Sequence, residues 1–281
     1  MLGTLMRRFS LHKRGSPDIW AISYPKSGRT WHRVLVGAYL CFKHGIDLNK
    51  APETKALTAR LGLPSLRYTH NGANFLDPWD ADDIRVADQR LWKGAGVIFL
   101  VRDVKDTLVS SYFHARFREE TYDGPISAFV RNRQTGAEKV LTALNRWHEN
   151  RFLACGHLVQ TYEAMHRNPV ACLTDALAFC GFGPVNSSLV KQAVAFATAD
   201  NMRKLEMSGF FKSQSLSNHT NPDAAKVRTA RIGDHKNHLS EADIAYIDAL
   251  EATIGNPFTA TGSPSKAISR LPGENACPQI G

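Results

Sequence analysis

Residues 18–35 read Asp18-Ile-Trp-Ala-Ile-Ser-Tyr-Pro-Lys-Ser-Gly-Arg-Thr-Trp-His-Arg-Val-Leu35. An apolar run of strand length, Ile19 to Tyr24, stops at Pro25 and Gly28, after which Trp31, Val34, Leu35, Ala38 and Phe42 recur at helical spacing. The stretch therefore reads as strand, tight loop, helix. The unit repeats further on: Ala95 to Val101 (AGVIFLV) has the continuous apolar character of a buried parallel strand, and a helix is predicted from Val104 to Phe117. His157 to Thr161 is a third strand candidate, and helical patterns occupy Ala137 to Phe152, Val170 to Phe182 and Glu241 to Thr253, the last capped near Ser240. Strands alternating with helices predict an α/β fold: one domain with a central, mostly parallel β-sheet flanked by helices. Thr121 to Gln134 and the polar stretch Ser208 to Lys226 interrupt the alternation and read as candidate lids. The expected domain runs over 18–259, between an N-terminal arm at 1–17 and a loose Gly-, Pro- and Ser-rich tail at 260–281.

Composition narrows the class without choosing a function. The 281 residues are 43% hydrophobic and 22% charged, which is ordinary for a globular chain and argues against disordered, collagenous or disulfide-scaffold proteins. Thirty-five Lys and Arg against 26 Asp and Glu leave a net charge of +9, which suits nucleic acid, an anionic membrane surface or a phosphorylated small molecule equally well. The five cysteines are scattered, with no CxxC pair and no zinc spacing, as expected of reduced thiols. No signal h-region and no membrane-length apolar run are present, so the expectation is a soluble cytoplasmic protein, monomeric or homodimeric, engaging neither membrane nor nucleic acid.

Three segments carry anion-binding chemistry. Lys26-Ser-Gly-Arg-Thr-Trp31, between a strand and a helix, gathers backbone N–H groups and a helix N-terminus around one point, a geometry that binds phosphate or sulfate. It is P-loop-like but not a Walker A sequence, because Lys26 precedes the only glycine. Arg102 leaves the C-terminal end of the second strand, where open parallel sheets bind ligands, and Ser110 lies two helical turns on. Ser110 shares an anion with Arg102 only if that helix lies across the site; otherwise Arg102 pairs with Asp103 or Asp106. The third segment, Arg228-Thr-Ala-Arg-Ile-Gly-Asp-His-Lys-Asn-His238, adds further cations.

In this order and at these separations, the segments resemble the sulfotransferase family that uses 3′-phosphoadenosine 5′-phosphosulfate (PAPS). YPKSGRTW looks like that family's 5′-phosphosulfate loop, RDVKDTLVSSYFH like its 3′-phosphate segment, and RTARIGDHKNH like its R-x-G-x-x-G-D-W-K-N-H motif. The resemblance implies that Lys26, Ser27, Gly28, Arg29, Thr30 and Trp31 hold the phosphosulfate, that Arg102, Ser110 and Arg228 hold the 3′-phosphate, and that Tyr162 contacts adenine. It further implies that PAPS is the donor, that PAP is the product, and that a small molecule accepts sulfuryl on a hydroxyl or amine. Tyr68-Thr69-His70 matches the family's base position, which makes His70 the candidate general base and Lys26 the group that stabilises the leaving oxygen.

Four departures from the family pattern stand out: Arg29 for a small hydroxyl residue, Tyr68 for the Lys before Thr-His, Thr229-Ala230 for Lys-Gly, and His235 for Trp. No metal is expected, since His235 and His238 lack an obvious carboxylate or thiol partner in the sequence. Phe75, Trp79, Phe113 and Phe117 are candidate acceptor contacts, and the acidic group Asp77, Asp80, Asp82 and Asp83 raises the idea of a cationic acceptor. The competing readings are a non-catalytic nucleotide or nucleic-acid binder with a basic surface and a kinase-like phosphotransferase. Dispersed basic residues count against the first and the missing Walker A lysine against the second.

Overall fold

The computed structural model describes residues 19–77, 81–82, 92–211, 216 and 221–258. Four strands, β1 (Ile19–Ser23), β2 (Leu66–Thr69), β3 (Gly96–Val101) and β4 (Gly156–Thr161), form one parallel sheet in the order β2-β1-β3-β4. Their side chains alternate between two cores. Ile19, Ala21, Ile98, Leu100 and Leu158 face one side, where they pack with α1 (Arg29–His44), α7 (Pro169–Phe179) and α8 (Ser187–Phe196). Ile22, Val97, Phe99 and Val101 face the other, against α3 (Val104–Phe117), α5 (Ala137–Glu149) and α10 (Glu241–Ile254). Every residue of β3 is buried, which explains its uninterrupted apolar sequence. The remaining helices are α2 (Thr54–Leu61), α4 (Ile126–Arg131), α6 (Tyr162–Arg167) and α9 (Ala199–Met207).

This is the α/β architecture expected from the alternation, with three corrections. β2 escapes a periodicity reading because it has only four residues, Leu-Arg-Tyr-Thr, and sits at the sheet edge. The stretch Thr121 to Gln134 is not a lid. It contains α4, whose Phe129 and Val130 are fully buried, and the Asp243 carboxylate accepts hydrogen bonds from Ser127 and Arg131. The adjacent pair Phe129-Val130 is core, although Gly and Pro before it look like loop punctuation. Within Ser208 to Lys226, Phe211, Leu216 and Ala224 are buried, and Glu206 accepts the Lys226 N–H at 2.9 Å, so the described parts are tied down. The expected arm, the expected tail, Trp79, Asp80 and Asp83 lie outside the described residues. Cys41, Cys172 and Cys180 are buried free thiols, and no described helix is long and apolar enough to cross a membrane.

One close approach anchors α1. A Cβ built on Gly37 would lie 1.8 Å from the carbonyl oxygen of Ala51, so only glycine lets this helix press against the backbone that follows it. Gly37→Ala is expected to lower the free energy of unfolding by about 1–3 kcal/mol, the usual range for overpacking, read as a reduced urea midpoint.

Candidate active site

All four strands run the same way, so their C-terminal ends share one edge of the sheet. In register, Ile22 pairs with Thr69, Ser23 with Leu100, and Val101 with Thr161. The residues just past those ends are therefore neighbours: the loop Tyr24–Gly28 after β1, His70 after β2, Arg102 after β3 and Tyr162 after β4. The order β2-β1-β3-β4 reverses direction between β1 and β3, and such a switch point opens a crevice. Arg102 spans it, donating through Nη1 to the Lys26 carbonyl at 3.2 Å. One cavity of about 360 Å³ at this edge is lined by Lys26, Gly28, Arg29, Thr30, Trp31, His70, Arg102, Ser110, Tyr162 and Arg228.

The loop after β1 is shaped for close approach. Lys26 and Gly28 both have positive φ, 72° and 90°, the former a conformation that costs an L-residue about 1–2 kcal/mol. A Cβ on Gly28 would sit 2.8 Å from the Tyr162 ring. Gly28 caps α1, which has no side-chain cap and no acidic residue in its first turn, leaving its N–H groups directed at the cavity edge. Ser27 is buried under the loop rather than on the cavity wall, and its N–H donates to the Tyr24 carbonyl at 3.4 Å.

Asp106 joins the second and third segments. This buried carboxylate accepts from the Gly233 N–H at 2.7 Å and from the His235 N–H at 3.0 Å, and the His235 Nδ1 lies 2.9 Å away. Arg102 Nη2 is 3.8 Å from it. The clamp draws residues 228–235 over α3, so that Ser110 and Arg228 line the same wall as Arg102. Arg228 is held by Asp234 at 2.6 Å and lies 3.9 Å above the Phe113 ring. Phe113 thus supports the arginine instead of facing the cavity. Phe117 stacks on Phe113 and also stays off the cavity, whereas Phe75 lines it.

The carboxylate partners of His235 and of His238, 3.5 Å from Asp234, overturn the expectation that these histidines have none. Asp103, Asp106 and His235 bring one ligand atom each within 4.8 Å of one another, but the Asp106 oxygens already serve the clamp. Asp77 and Asp82 do not line the cavity, and Asp82 pairs with Arg133 at an exposed position, which removes the basis for a cationic acceptor among the described residues.

His70 is held as a neutral imidazole. Its Nδ1 lies 2.7 Å from the Ser23 carbonyl oxygen, which can only accept, so Nδ1 carries the hydrogen and Nε2 keeps its lone pair. Burial, followed by the charge of Arg29, pushes its pKa down to about 3, against the opposing effect of the Ser23 bond. Lys26 is driven well below the ordinary lysine value, first by burial and then by the charges of Lys226, Arg118 and Arg102. Lys226, unmarked in the sequence, lines the cavity, and burial and Arg118 bring it down to about 8. Its only sequence signal is its place two residues before Arg228.

The Sulfotransferase domain family model matches residues 16–252. The chain belongs to the sulfotransferase family. Among curated relatives of this sulfotransferase, cytosolic sulfotransferase 17 of Arabidopsis thaliana is 21% identical, covering 93% of this chain and 80% of its own. Sulfotransferase 4A1 of Mus musculus is 28% identical over 58% of this chain and 60% of its own length. The fold is that of mouse sulfotransferase SULT7A1, solved complexed with PAP, at a TM-score of 0.60 and 19% identity, covering 87% of this chain and 86% of that one.

In the free sulfotransferase, NMR titration of the His70 imidazole is expected to show it still neutral at pH 5, with protonation centred near pH 3. An unfolded histidine titrates near 6.5, so between about pH 6.5 and 3 the unfolded chain binds the extra proton. The stability contributed by neutral His70 is complete above that window and declines as pH falls through it. A His70 pKa near 6.5 in the folded protein would contradict its packing.

Proposed function

We propose that this sulfotransferase uses PAPS as donor and moves its sulfuryl group to a hydroxyl or amine of a small molecule, releasing PAP. The observation that carries this reading is the one cavity lined together by His70, Lys26 and the loop at Gly28, with His70 Nδ1 engaged by Ser23 so that Nε2 keeps its lone pair. The residues suit such a donor. The Lys26 ammonium has no hydrogen bond or ion pair among the described residues, and with no Cβ at Gly28 the loop closes directly on the Tyr162 ring, so that Lys26, Gly28 and Tyr162 border one cavity.

In this reading Lys26, Gly28, Arg29, Thr30 and Trp31 hold the 5′-phosphosulfate, chiefly through backbone N–H groups at the start of α1, with the Arg29 N–H among them, while Ser27, its N–H given to Tyr24, stays beneath the loop. Arg102, Ser110 and Arg228 hold the 3′-phosphate, for which two guanidinium groups are the apt partners. Tyr162, edge-on to Trp31 at 5.9 Å and under Arg102 at 4.2 Å, offers the adenine an aromatic wall. Phe75 is the described aromatic on the acceptor side.

His70 Nε2 takes the acceptor's proton as the acceptor oxygen or nitrogen bonds to sulfur. Lys26 neutralises the phosphate oxygen released as the bond from sulfur to that oxygen breaks. Ser23, through its carbonyl, holds the imidazole in the required tautomer. Positioning and charge stabilisation carry the step, as in loose phosphoryl transfer. Bringing an anionic donor beside His70 offsets the cations that depress it, which raises its basicity in the complex.

The decisive experiment incubates the protein with PAPS and a pooled acceptor library and reads sulfated products and PAP by mass spectrometry. Transfer, together with PAP-induced thermal stabilisation, is expected; the absence of both would overturn the reading. His70→Ala is expected to lower kcat at least 100-fold with PAP affinity nearly intact. Arg102→Ala is expected to weaken PAP at least tenfold, as loss of a charge-assisted contact requires. Loss of PAP binding in His70→Ala would refute its role as base.

A further inference from the structure

Beside His70 in the cavity stand two cations that have no counter-ion among the described residues. Arg29 is the first residue of α1 and Lys226 comes from the segment that crosses the cavity; both line it with His70. Neither the guanidinium of Arg29 nor the ammonium of Lys226 has a hydrogen bond or an ion pair among the described residues. The neighbouring carboxylates are engaged elsewhere. Glu206 accepts from the N–H groups of Lys226 and Val227 and from Arg118, Asp234 holds Arg228, and Asp106 holds the Gly233–His235 turn. Glu119 lies 3.2 Å from His114.

Charge matching then separates two anion subsites. The two phosphate-bearing ends of the donor are met by Arg102 and Arg228 at one end, and by Lys26 and the α1 N-terminus at the other. Arg29 and Lys226 remain. Taking cations out of water without a partner is unfavourable: burial and then the charge of Arg33 hold Arg29 down to about 10, and burial and then Arg118, with a smaller push from Arg29, bring Lys226 to about 8. A bound anion relieves that repulsion. The hydroxyl residue usual at position 29 and the Lys usual at 68 are replaced here by Arg29 and Tyr68, and burial raises Tyr68 as a neutral phenol bonded to His32 Nδ1 at 2.8 Å. The positive charge has therefore moved to the first turn of α1.

We propose that Arg29 and Lys226 form an anion subsite beside His70 and that the acceptor is a hydroxy- or amino-compound bearing a carboxylate. This rests on the PAPS reading above. The subsite recognises the acceptor's charge, leaves its hydroxyl or amine at His70 Nε2, and adds selectivity against neutral acceptors of the same shape.

The test is calorimetric binding to the PAP-loaded protein of matched pairs that differ only in charge, beginning with 4-hydroxybenzoate and 4-hydroxybenzamide and extending to aliphatic hydroxy-acids and their amides. Turnover with PAPS is measured on the same pairs. The carboxylate member of at least one pair is expected to bind at least tenfold more tightly, with the same preference in kcat/KM. Arg29→Gln and Lys226→Gln should each reduce the ratio of carboxylate to amide affinity at least threefold, and Arg29→Lys should restore much of that ratio. Equal affinity within every pair, or no binding by any member, overturns the subsite. So do variants that weaken carboxylate and amide by the same factor, which would give these cations to the transferred sulfuryl group instead. Failure of the wild type to bind PAP would strike the donor reading itself, whereas PAP binding without a carboxylate preference strikes only the anionic acceptor.

Discussion

The site depends on one constraint: four strands paired in parallel register must all end at the same edge of the sheet. Parallel pairing requires helical crossovers, these cover both faces, and the faces become two cores that lock the register. A one-residue slip of β1 would turn Ile19 and Ala21 into the core that now receives Ile22, so the hydrophobic pattern and the position of the loop at Lys26 are determined together. Arg102, His70 and Tyr162 inherit their positions from that register. None needs a long positioning loop of its own.

Against this rigid edge the protein sets groups in unfavourable electrostatic states. Lys26, Arg29 and Lys226 are half-buried without ion-pair partners among the described residues, and His70 is kept neutral by desolvation and by Arg29. Such groups oppose folding and are tolerated because the cores around them are fully packed. The Asp106 clamp works in the opposite sense. It satisfies a buried carboxylate with backbone and imidazole groups of the 233–235 turn, joining a late segment of the chain to the first turn of α3. The net charge of +9 is a poor guide to this arrangement, since what shapes the cavity is which described carboxylates are already engaged with other partners.

Legibility in the sequence followed range. The loop from Tyr24 to Trp31, the run Ala95 to Val101 and the helix Val104 to Phe117 are decided by neighbours within a few residues, and the structure has them where periodicity and Gly–Pro punctuation put them. Phe129 and Val130 were read as part of a loop because two apolar residues make no period, yet both are core. Phe113 was legible as an aromatic but not as the support of Arg228. The His235 pairing with Asp106 spans 129 residues, and no local pattern announces it.

The amino-acid sequence by itself determined the α/β alternation, the anion-binding loop and the family resemblance, because backbone geometry and hydrophobic periodicity act over short separations. Only the tertiary structure decided that Ser110 and Arg228 share a wall with Arg102, that the acidic group near His70 contributes no described residue to the cavity, and that Lys226 does. The physical reason is that counter-ions and cavity walls are supplied by residues distant in the chain. A side chain's charge state and its availability to a ligand depend on which of those residues the fold brings within a few ångströms of it.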